Sequence, residues 1–341
     1  MRRMRGVLAL VLVCGACSSE VAGPAEPELP GVGVYPLGTL EIAAVNRACP
    51  AGFSCQGVEV TCAGVTQSVA VTVAVAQPVG SARGVVVFTT GGGGQSWALE
   101  DSSRETELLA PLLADGFRVV QVRWEKNWLL SSPGNDAGTG RLGCRPATVI
   151  KWIYDTHFVP LGIARSATGQ CGFCVTGNSG GSTQVSYTLS HYGLDTILDA
   201  VIPTGGPPHA AMAKACLRNP GEQAFWYPDD TRRFLDEGFG FFDGNGPCYL
   251  HDASYTARWQ QESVATGGND YVHPRTRVHF ILGESDVGMR APAGEYESRL
   301  RSAGSPWVTA ERAPSTACWA VWRAARPCAL HYWTRADVAP G

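Results

Sequence analysis

Three features that would assign this chain to a nucleic-acid-binding, repeat or membrane-spanning class are missing from its sequence. Lysine and arginine form no long run, and the formal net charge of the 341 residues is −3, so no basic signature for a nucleic acid is present. No internal repeat is visible, which argues against a solenoid. The N-terminal apolar run Val7 to Val13 is too short to cross a bilayer as a helix. We therefore predict no nucleic-acid partner and no role for this run as a membrane span.

Two motifs that would hold a phosphate or a metal are also incomplete. The glycine run Gly91 to Gly94 is not followed by Gly-Lys-Ser/Thr, which disfavours a phosphate-cradling P-loop. No histidine stands at ligand spacing beside Cys171 and Cys174, which disfavours a zinc site there. We predict that the chain needs no metal ion and no organic cofactor.

The N-terminus resembles the signal of bacterial lipoproteins. Basic residues from Arg2 to Arg5 precede the apolar run, and small residues precede Cys17. The resemblance implies that residues 1–16 are a signal peptide, that Cys17 is lipidated, and that this lipid alone attaches the chain to the outer membrane or cell surface. Ordinary secretory cleavage after Ala16, which would give a periplasmic or secreted protein, is the alternative.

The residues that follow are rich in Pro, Gly, Glu and Ser and have little to bury, which predicts a flexible tether over 17–36. The remaining residues, 37–341, are predicted to form one catalytic domain. Their ten cysteines, in an exported chain, predict up to five disulfides. The first pairs we expect are Cys216 with Cys248 and Cys318 with Cys328.

Cys171 and Cys174 form a C-x-x-C pair, which in other settings marks a redox centre. Here the pair lies in an apolar segment that reads as a strand, whereas a redox centre of this kind opens a helix. Three residues of extended strand span about 10 Å, beyond the ~7 Å over which Cα atoms can be bridged. We therefore expect each cysteine to pair elsewhere.

The segment around Ser179 predicts a sharp turn from a strand into a helix. Cys171 to Thr176 is apolar and β-prone, and Thr183 to Tyr192 has helical periodicity. At such a turn the residues two before and two after the serine pack against each other and must be small; here they are Gly177 and Gly181. The turn lifts a serine hydroxyl clear of the backbone, as a nucleophile requires.

Strands and helices alternate along most of the chain, which predicts an α/β class with a mostly parallel sheet. Strands are predicted at residues 56–60, 69–76, 84–90, 118–124, 171–176, 198–203, 277–282 and 307–311, the first two as an antiparallel pair. Helices are predicted at residues 105–114, 147–154, 183–192 and 293–300. Residues 209–274 lose this alternation and are interpreted as an inserted cap or lid.

From Gln56 to His331 the chain resembles the α/β-hydrolase superfamily, in particular its secreted esterases and lipases. The resemblance implies a twisted, mostly parallel sheet with helices on both faces, and a catalytic triad in the order serine, acid, histidine. The late strand ends in Gly283-Glu284-Ser285-Asp286, where the family carries the acid on the second carboxylate. Asp286 is therefore the predicted acid, with Glu284 as the alternative. His331 is the predicted base, because it is the only histidine after Asp286.

The resemblance also implies an oxyanion hole. One amide would come from Gly180, the residue after the serine, and one from Gly92, Gly93, Gly94 or Gln95 in the glycine loop. Thr90 stands where the family has a histidine before the glycines, and the sequence leaves the donor within that loop open.

Together these features predict a serine hydrolase that cleaves small-molecule or polymeric carboxylic esters through an acyl-enzyme intermediate. His209 and His251 could line the substrate pocket. Aromatic residues of the cap suggest either an apolar acyl site or simply a packed lid: Phe225, Trp226, Tyr227, Phe239, Phe241, Phe242 and Trp259. Three alternatives remain: a serine peptidase, a polyester depolymerase, and a surface lipoprotein that binds a ligand without catalysis.

Overall fold

The computed structural model describes residues 35–99, 105–163, 171–283 and 288–313. Within these residues one sheet of nine strands runs through the molecule. The strands are β1 Thr39–Ala43, β2 Ser54–Thr61, β3 Val69–Ala76, β4 Gly84–Thr89, β5 Phe117–Trp124, β6 Phe173–Asn178, β7 Ala200–Thr204, β8 Arg277–Gly283 and β9 Val308–Ala313.

The sheet has the order β1-β2-β3-β5-β4-β6-β7-β8-β9. The strands β1, β2, β3 and β5 pair antiparallel, and every neighbouring pair from β5 through β4 to β9 is parallel. The predicted α/β class and mostly parallel sheet are confirmed, as is the opening antiparallel pair. Strand β1 was not predicted, because its five residues are mostly exposed and lack an apolar run.

The described helices are short to medium in length, and none of them is long and apolar enough to cross a membrane. They are α1 Ala110–Ala114, α2 Thr139–Leu142, α3 Cys144–Ile153, α4 Gly180–Ser190, α5 Met212–Leu217, α6 Asp229–Glu237, α7 Pro247–Leu250, α8 Thr256–Glu262 and α9 Arg290–Ser302. A π-helical turn, Glu105–Leu109, leads into α1, and a second one, Tyr154–Phe158, follows α3.

Helices cover both faces of the sheet. Strand β4 is fully buried, and because its side chains alternate between faces, Val85 and Val87 belong to one core while Val86 and Phe88 belong to the other. The first core also contains apolar residues of α3, α4 and α9, and the second contains leucines from the segment around α1. The sequence of β4 is therefore an unbroken apolar run because neither face of this strand is exposed to water.

Four disulfides join described cysteines: Cys49–Cys55, Cys62–Cys144, Cys171–Cys174 and Cys216–Cys248. The predicted Cys216–Cys248 pair is confirmed and links α5 to α7. The predicted Cys318–Cys328 pair lies outside the described residues.

The expectation that Cys171 and Cys174 pair elsewhere is wrong, since they pair with each other. Strand β6 begins only at Phe173, and the chain bends at Gly172, which precedes it. This bend brings the two Cα atoms to 5.8 Å, whereas a fully extended segment would hold them about 10 Å apart. The apolar pattern predicted the strand correctly but placed its first residue two positions too early.

Residues between β7 and β8 contain four of the short helices, α5 to α8. These helices share a separate apolar core that includes Met212, Tyr227, Leu235, Phe239 and Trp259. The segment predicted as a cap is thus built from helices that pack on one another. Its action as a lid stays a prediction.

Candidate active site

Ser179 occupies the turn between β6 and α4 in a backbone conformation that is unusual for a residue with a side chain. Its φ is 51° and its ψ is −115°. Such a conformation costs a non-glycine residue on the order of 1–3 kcal/mol and persists only where its surroundings impose it. Here the Ser179 amide donates to the Thr204 carbonyl (2.9 Å), and the Ser179 carbonyl accepts from the Thr183 amide (3.2 Å). The backbone at this serine is therefore strained and held from both sides.

Two glycines make this turn sterically possible. A Cβ on Gly177 would lie 2.2 Å from Thr89 Oγ1 and 2.3 Å from the Gly181 carbonyl oxygen. A Cβ on Gly181 would lie 2.7 Å from the Thr89 carbonyl oxygen. Both positions thus exclude any side chain, which is the steric requirement expected from the sequence.

The glycine loop after β4 lies directly beside this turn. Strands β4 and β6 are parallel neighbours in which Thr89 pairs with Gly177, so both loops leave the same edge of the sheet. A Cβ on Gly180 would lie 2.3 Å from the Gly92 carbonyl oxygen and 2.9 Å from the Gly92 nitrogen. The Gly92 peptide therefore contacts the residue that follows the serine.

The other loop residues face other partners. The Gly94 amide donates to the Gly91 carbonyl (3.0 Å), which closes a tight turn. Gln95 lies toward the end of β5, where its carbonyl accepts from Arg123 Nε (2.8 Å). A Cβ on Gly93 would lie 2.8 Å from the Asn127 Cβ. Of the four predicted loop donors, Gly92 is the one that lies against Gly180.

Two polar residues that the sequence did not single out hold this arrangement together. Thr89 Oγ1 donates to the Gly181 carbonyl (3.0 Å). Gln184, fully buried on α4, donates through Nε2 to the Thr90 carbonyl (3.2 Å) and accepts through Oε1 from Trp124 Nε1 (3.0 Å). In the sequence, Thr89 is visible only as a polar residue at the end of an apolar strand, and Gln184 only as a polar residue inside a helix. Neither signal indicates a partner by itself.

The other predicted members of the site lie outside the described residues. These are the acid Asp286, its alternative Glu284, the base His331 and the lipidation site Cys17. Strand β8, which precedes the predicted acid, ends at Gly283 and is separated from β6 only by β7. Their positions relative to Ser179 stay predictions.

The two histidines suggested for the substrate pocket have different surroundings. His209 follows the loop after β7, is almost completely buried, and makes an edge-to-face contact with Tyr227 at 6.2 Å between ring centroids. His251 Nδ1 lies 2.6 Å from the Cys216 carbonyl oxygen, so it contacts the disulfide-linked helices. His251 therefore packs within the inserted segment. The assignment of either histidine to a substrate pocket stays a prediction.

His209 is expected to make the protein sensitive to mild acid. Burial lowers the pKa of His209 from 6.5 to about 4. Between those values the unfolded chain binds a proton that the folded chain excludes, so stability is greatest above about pH 6.5 and falls as the pH drops toward 4. We expect this histidine to account for roughly 2 kcal/mol of lost unfolding free energy at pH 5 relative to pH 7.5. Denaturant titrations at both pH values should show a smaller pH dependence for His209→Gln. An unchanged dependence would contradict this assignment.

Comparison with known proteins gives similarity in structure without similarity in sequence. No protein-family model matches the chain, and no curated protein matches it. Brefeldin A esterase, described as a bacterial homologue of human hormone-sensitive lipase, is 15% identical, with 84% of this chain and 77% of that chain covered and a TM-score of 0.48. A hyperthermophilic esterase from Pyrobaculum calidifontis is 15% identical, with 88% and 87% covered and a TM-score of 0.47. The Pyrococcus furiosus esterase Pf2001 is 14% identical, with 83% and 90% covered and a TM-score of 0.46. At these identities the likeness concerns the fold alone.

Proposed function

We propose that this chain is a serine hydrolase that cleaves carboxylic esters, with Ser179 as the nucleophile. The observation that carries the proposal is the strained backbone of Ser179 at a strand-to-helix turn, against which the glycine loop packs. Two backbone hydrogen bonds hold this strained conformation, and two glycines make the turn sterically possible. Backbone strain lowers stability and is concentrated at functional sites. A serine in an ordinary glycine-rich loop would need none of these features.

In the proposed reaction, His331 removes the proton of the Ser179 hydroxyl while the oxygen bonds to the ester carbonyl carbon. Asp286 orients His331 and stabilises its protonated form. The bond from carbon to the alkoxy oxygen then breaks, and His331 gives its proton to the departing alcohol. Water, deprotonated by His331, attacks the acyl carbon, which releases the carboxylic acid and restores Ser179. The two steps consume the ester and one water molecule and produce an alcohol and a carboxylic acid.

The negative charge that develops on the carbonyl oxygen needs hydrogen-bond donors that are fixed before the reaction begins. We propose the amides of Gly180 and Gly92 for this role. Gly180 is the first residue of α4, where amides are not engaged within the helix, and the Gly92 peptide contacts Gly180. Gly92 has a φ of 56°, a backbone conformation that residues with a side chain rarely adopt, which is a reason for glycine at this position.

A fluorophosphonate probe tests the proposal without knowledge of the natural substrate, because it reacts covalently with an activated serine. We expect wild-type protein to be labelled and Ser179→Ala to remain unlabelled. Ser186→Ala is the matched control, since Ser186 is a buried serine on α4, about two turns beyond Ser179. Folded wild-type protein that is never labelled would favour the alternative of a ligand-binding lipoprotein. Labelled protein that cleaves peptides and not esters would favour the peptidase.

We further propose that the chain is exported and anchored by a lipid on Cys17. The signal-like N-terminus and the four disulfides, which form and persist in oxidising compartments, support this proposal. In a bacterial host the wild-type protein should therefore incorporate labelled palmitate and sediment with membranes. Cys17→Ala should lose the label and appear in the soluble fraction. A wild-type protein that is soluble and unlabelled would indicate ordinary secretory cleavage.

A further inference from the structure

Three side chains with metal-binding atoms meet at the end of the sheet opposite Ser179. Asp195 lies in a 3-10 turn that precedes β7, and Asp270 and His273 lie in the segment that precedes β8. One ligand atom from each of the three residues lies within 4.8 Å of the others. The amino ends of β7 and β8 therefore bring together two carboxylates and one imidazole.

His273 is the member of this cluster that points to a ligand. The residue is completely buried, and neither of its ring nitrogens has a hydrogen-bond partner among the described residues. A neutral imidazole carries one nitrogen lone pair, and buried polar atoms in native proteins are nearly always paired. A cation bound to that lone pair would account for one of the two unpaired nitrogens, and the two carboxylates beside it would share the ion's charge.

The backbone around the cluster is fixed, so the three side chains are preorganised. The Asn269 amide donates to the carbonyl of Ser190, the last residue of α4 (2.8 Å), and the His273 amide donates to Ser305 Oγ (2.9 Å). Thr276 Oγ1 donates to the Asp195 carbonyl (2.9 Å), which joins the two segments directly. Both carboxylate residues are only half-buried, so an ion can reach the site from solvent.

We propose that Asp195, Asp270 and His273 bind a divalent transition-metal ion, with Zn²⁺ as the preferred ion and water completing its coordination. Imidazole together with carboxylate suits Zn²⁺, whereas Ca²⁺ and Mg²⁺ prefer oxygen ligands alone. Asp270 Oδ1 accepts from the Val272 amide (2.8 Å), an interaction that orients the carboxylate. This differs from the sequence prediction, which contained no metal site.

The ion would be structural, since α4 separates it from the proposed nucleophile. Helix α4 has 11 residues and is therefore about 16 Å long, with Ser179 at its amino end and the cluster beyond its carboxyl end. By joining the turn after α4 to the segment before β8, the ion would clamp two parts of the chain that are remote in sequence. It would stabilise the helix that carries the nucleophile without contacting substrate.

Titration of the chelator-treated full chain with Zn²⁺, followed by calorimetry, tests this site. We expect one Zn²⁺ per chain and a rise in Tm of about 5 °C when Zn²⁺ is present at about 100 times its Kd. Asp195→Asn and Asp270→Asn should each weaken Zn²⁺ binding by more than about 10-fold, since even outer-shell changes have effects of that size. His273→Gln should lose binding.

Asp243→Asn is the matched control for Asp270→Asn. Asp243 Oδ1 accepts from the amide of Asn245, two residues later (2.9 Å), just as Asp270 Oδ1 accepts from the amide of Val272. Asp243 is not part of the cluster. This control should bind Zn²⁺ like the wild type. Binding that persists in both cluster Asp→Asn variants would overturn the proposal, as would the absence of any Zn²⁺ bound by the wild type. A preference for Ca²⁺ that survives in His273→Gln would also overturn it. If His273→Gln does not fold, Zn²⁺ binding by the near-isosteric variants Asp195→Asn and Asp270→Asn tests the proposal.

Discussion

Ser179→Ala is expected to lower kcat/KM for a soluble short-chain ester by about 10⁴-fold or more. Removal of a triad nucleophile leaves only the catalysis supplied by the oxyanion hole and by substrate binding. The loss should appear in kcat, because the hydroxyl bonds to the carbonyl carbon only as the reaction proceeds. Steady-state hydrolysis of a chromogenic ester, corrected for the spontaneous rate, measures the effect. A loss of less than about tenfold would contradict the proposed nucleophile.

The stability of this variant separates chemistry from folding. Alanine also carries a Cβ, so Ser179→Ala keeps the backbone strain at a φ of 51° and should unfold at nearly the same temperature as the wild type. Ser179→Gly should relieve the strain and should be inactive with an equal or higher Tm. An inactive Ser179→Ala protein that is also strongly destabilised would not support a catalytic role.

His331→Ala is expected to lower kcat/KM by at least about 10⁴-fold, because the proposed nucleophile would then lack its proposed general base. The double variant Ser179→Ala/His331→Ala should be no slower than either single variant, since members of a triad act as one unit. His157→Gln is the control, because His157 lies after α3 and has no assigned role in the site. Additive losses in the double variant would contradict a shared mechanism.

The same series of variants tests which residue is the acid of the proposed triad. Asp286→Asn should cost about 10⁴-fold in kcat, because an amide cannot stabilise the protonated histidine or hold its correct tautomer. If Glu284→Gln produces the larger loss, Glu284 is the acid and the assignment of Asp286 is wrong. The unfolding temperature of each variant checks that it still folds, because the rate of fluorophosphonate labelling itself falls when the serine is no longer activated.

Predictions from the sequence succeeded where the structural cause is local. Gly177 and Gly181 flank Ser179 at fixed spacing, and the steric exclusion found at both positions depends only on the geometry of one tight turn. The apolar run of β4 predicted a central strand because burial on both faces removes any need for polar residues. Features of this kind depend only on residues that are close together in the sequence.

Predictions from the sequence were wrong or absent where the cause is a departure from regular geometry or a contact between remote residues. One bend at Gly172 allows Cys171 and Cys174 to pair, and no apolar pattern encodes that bend. Gln184 reaches the Thr90 carbonyl only because α4 packs beside the loop that follows β4.

The sequence by itself determined the alternation of strands and helices and the turn that carries Ser179, because periodicity and steric size act over a few residues. Only the tertiary structure decided that Gly92, of the four possible loop donors, lies against Gly180. It alone brought Asp195 to Asp270 and His273 across more than 70 intervening residues. The physical reason is that the number of residues between two positions does not give their distance in space. That distance is set here by the order of the strands, which places β7 next to β8.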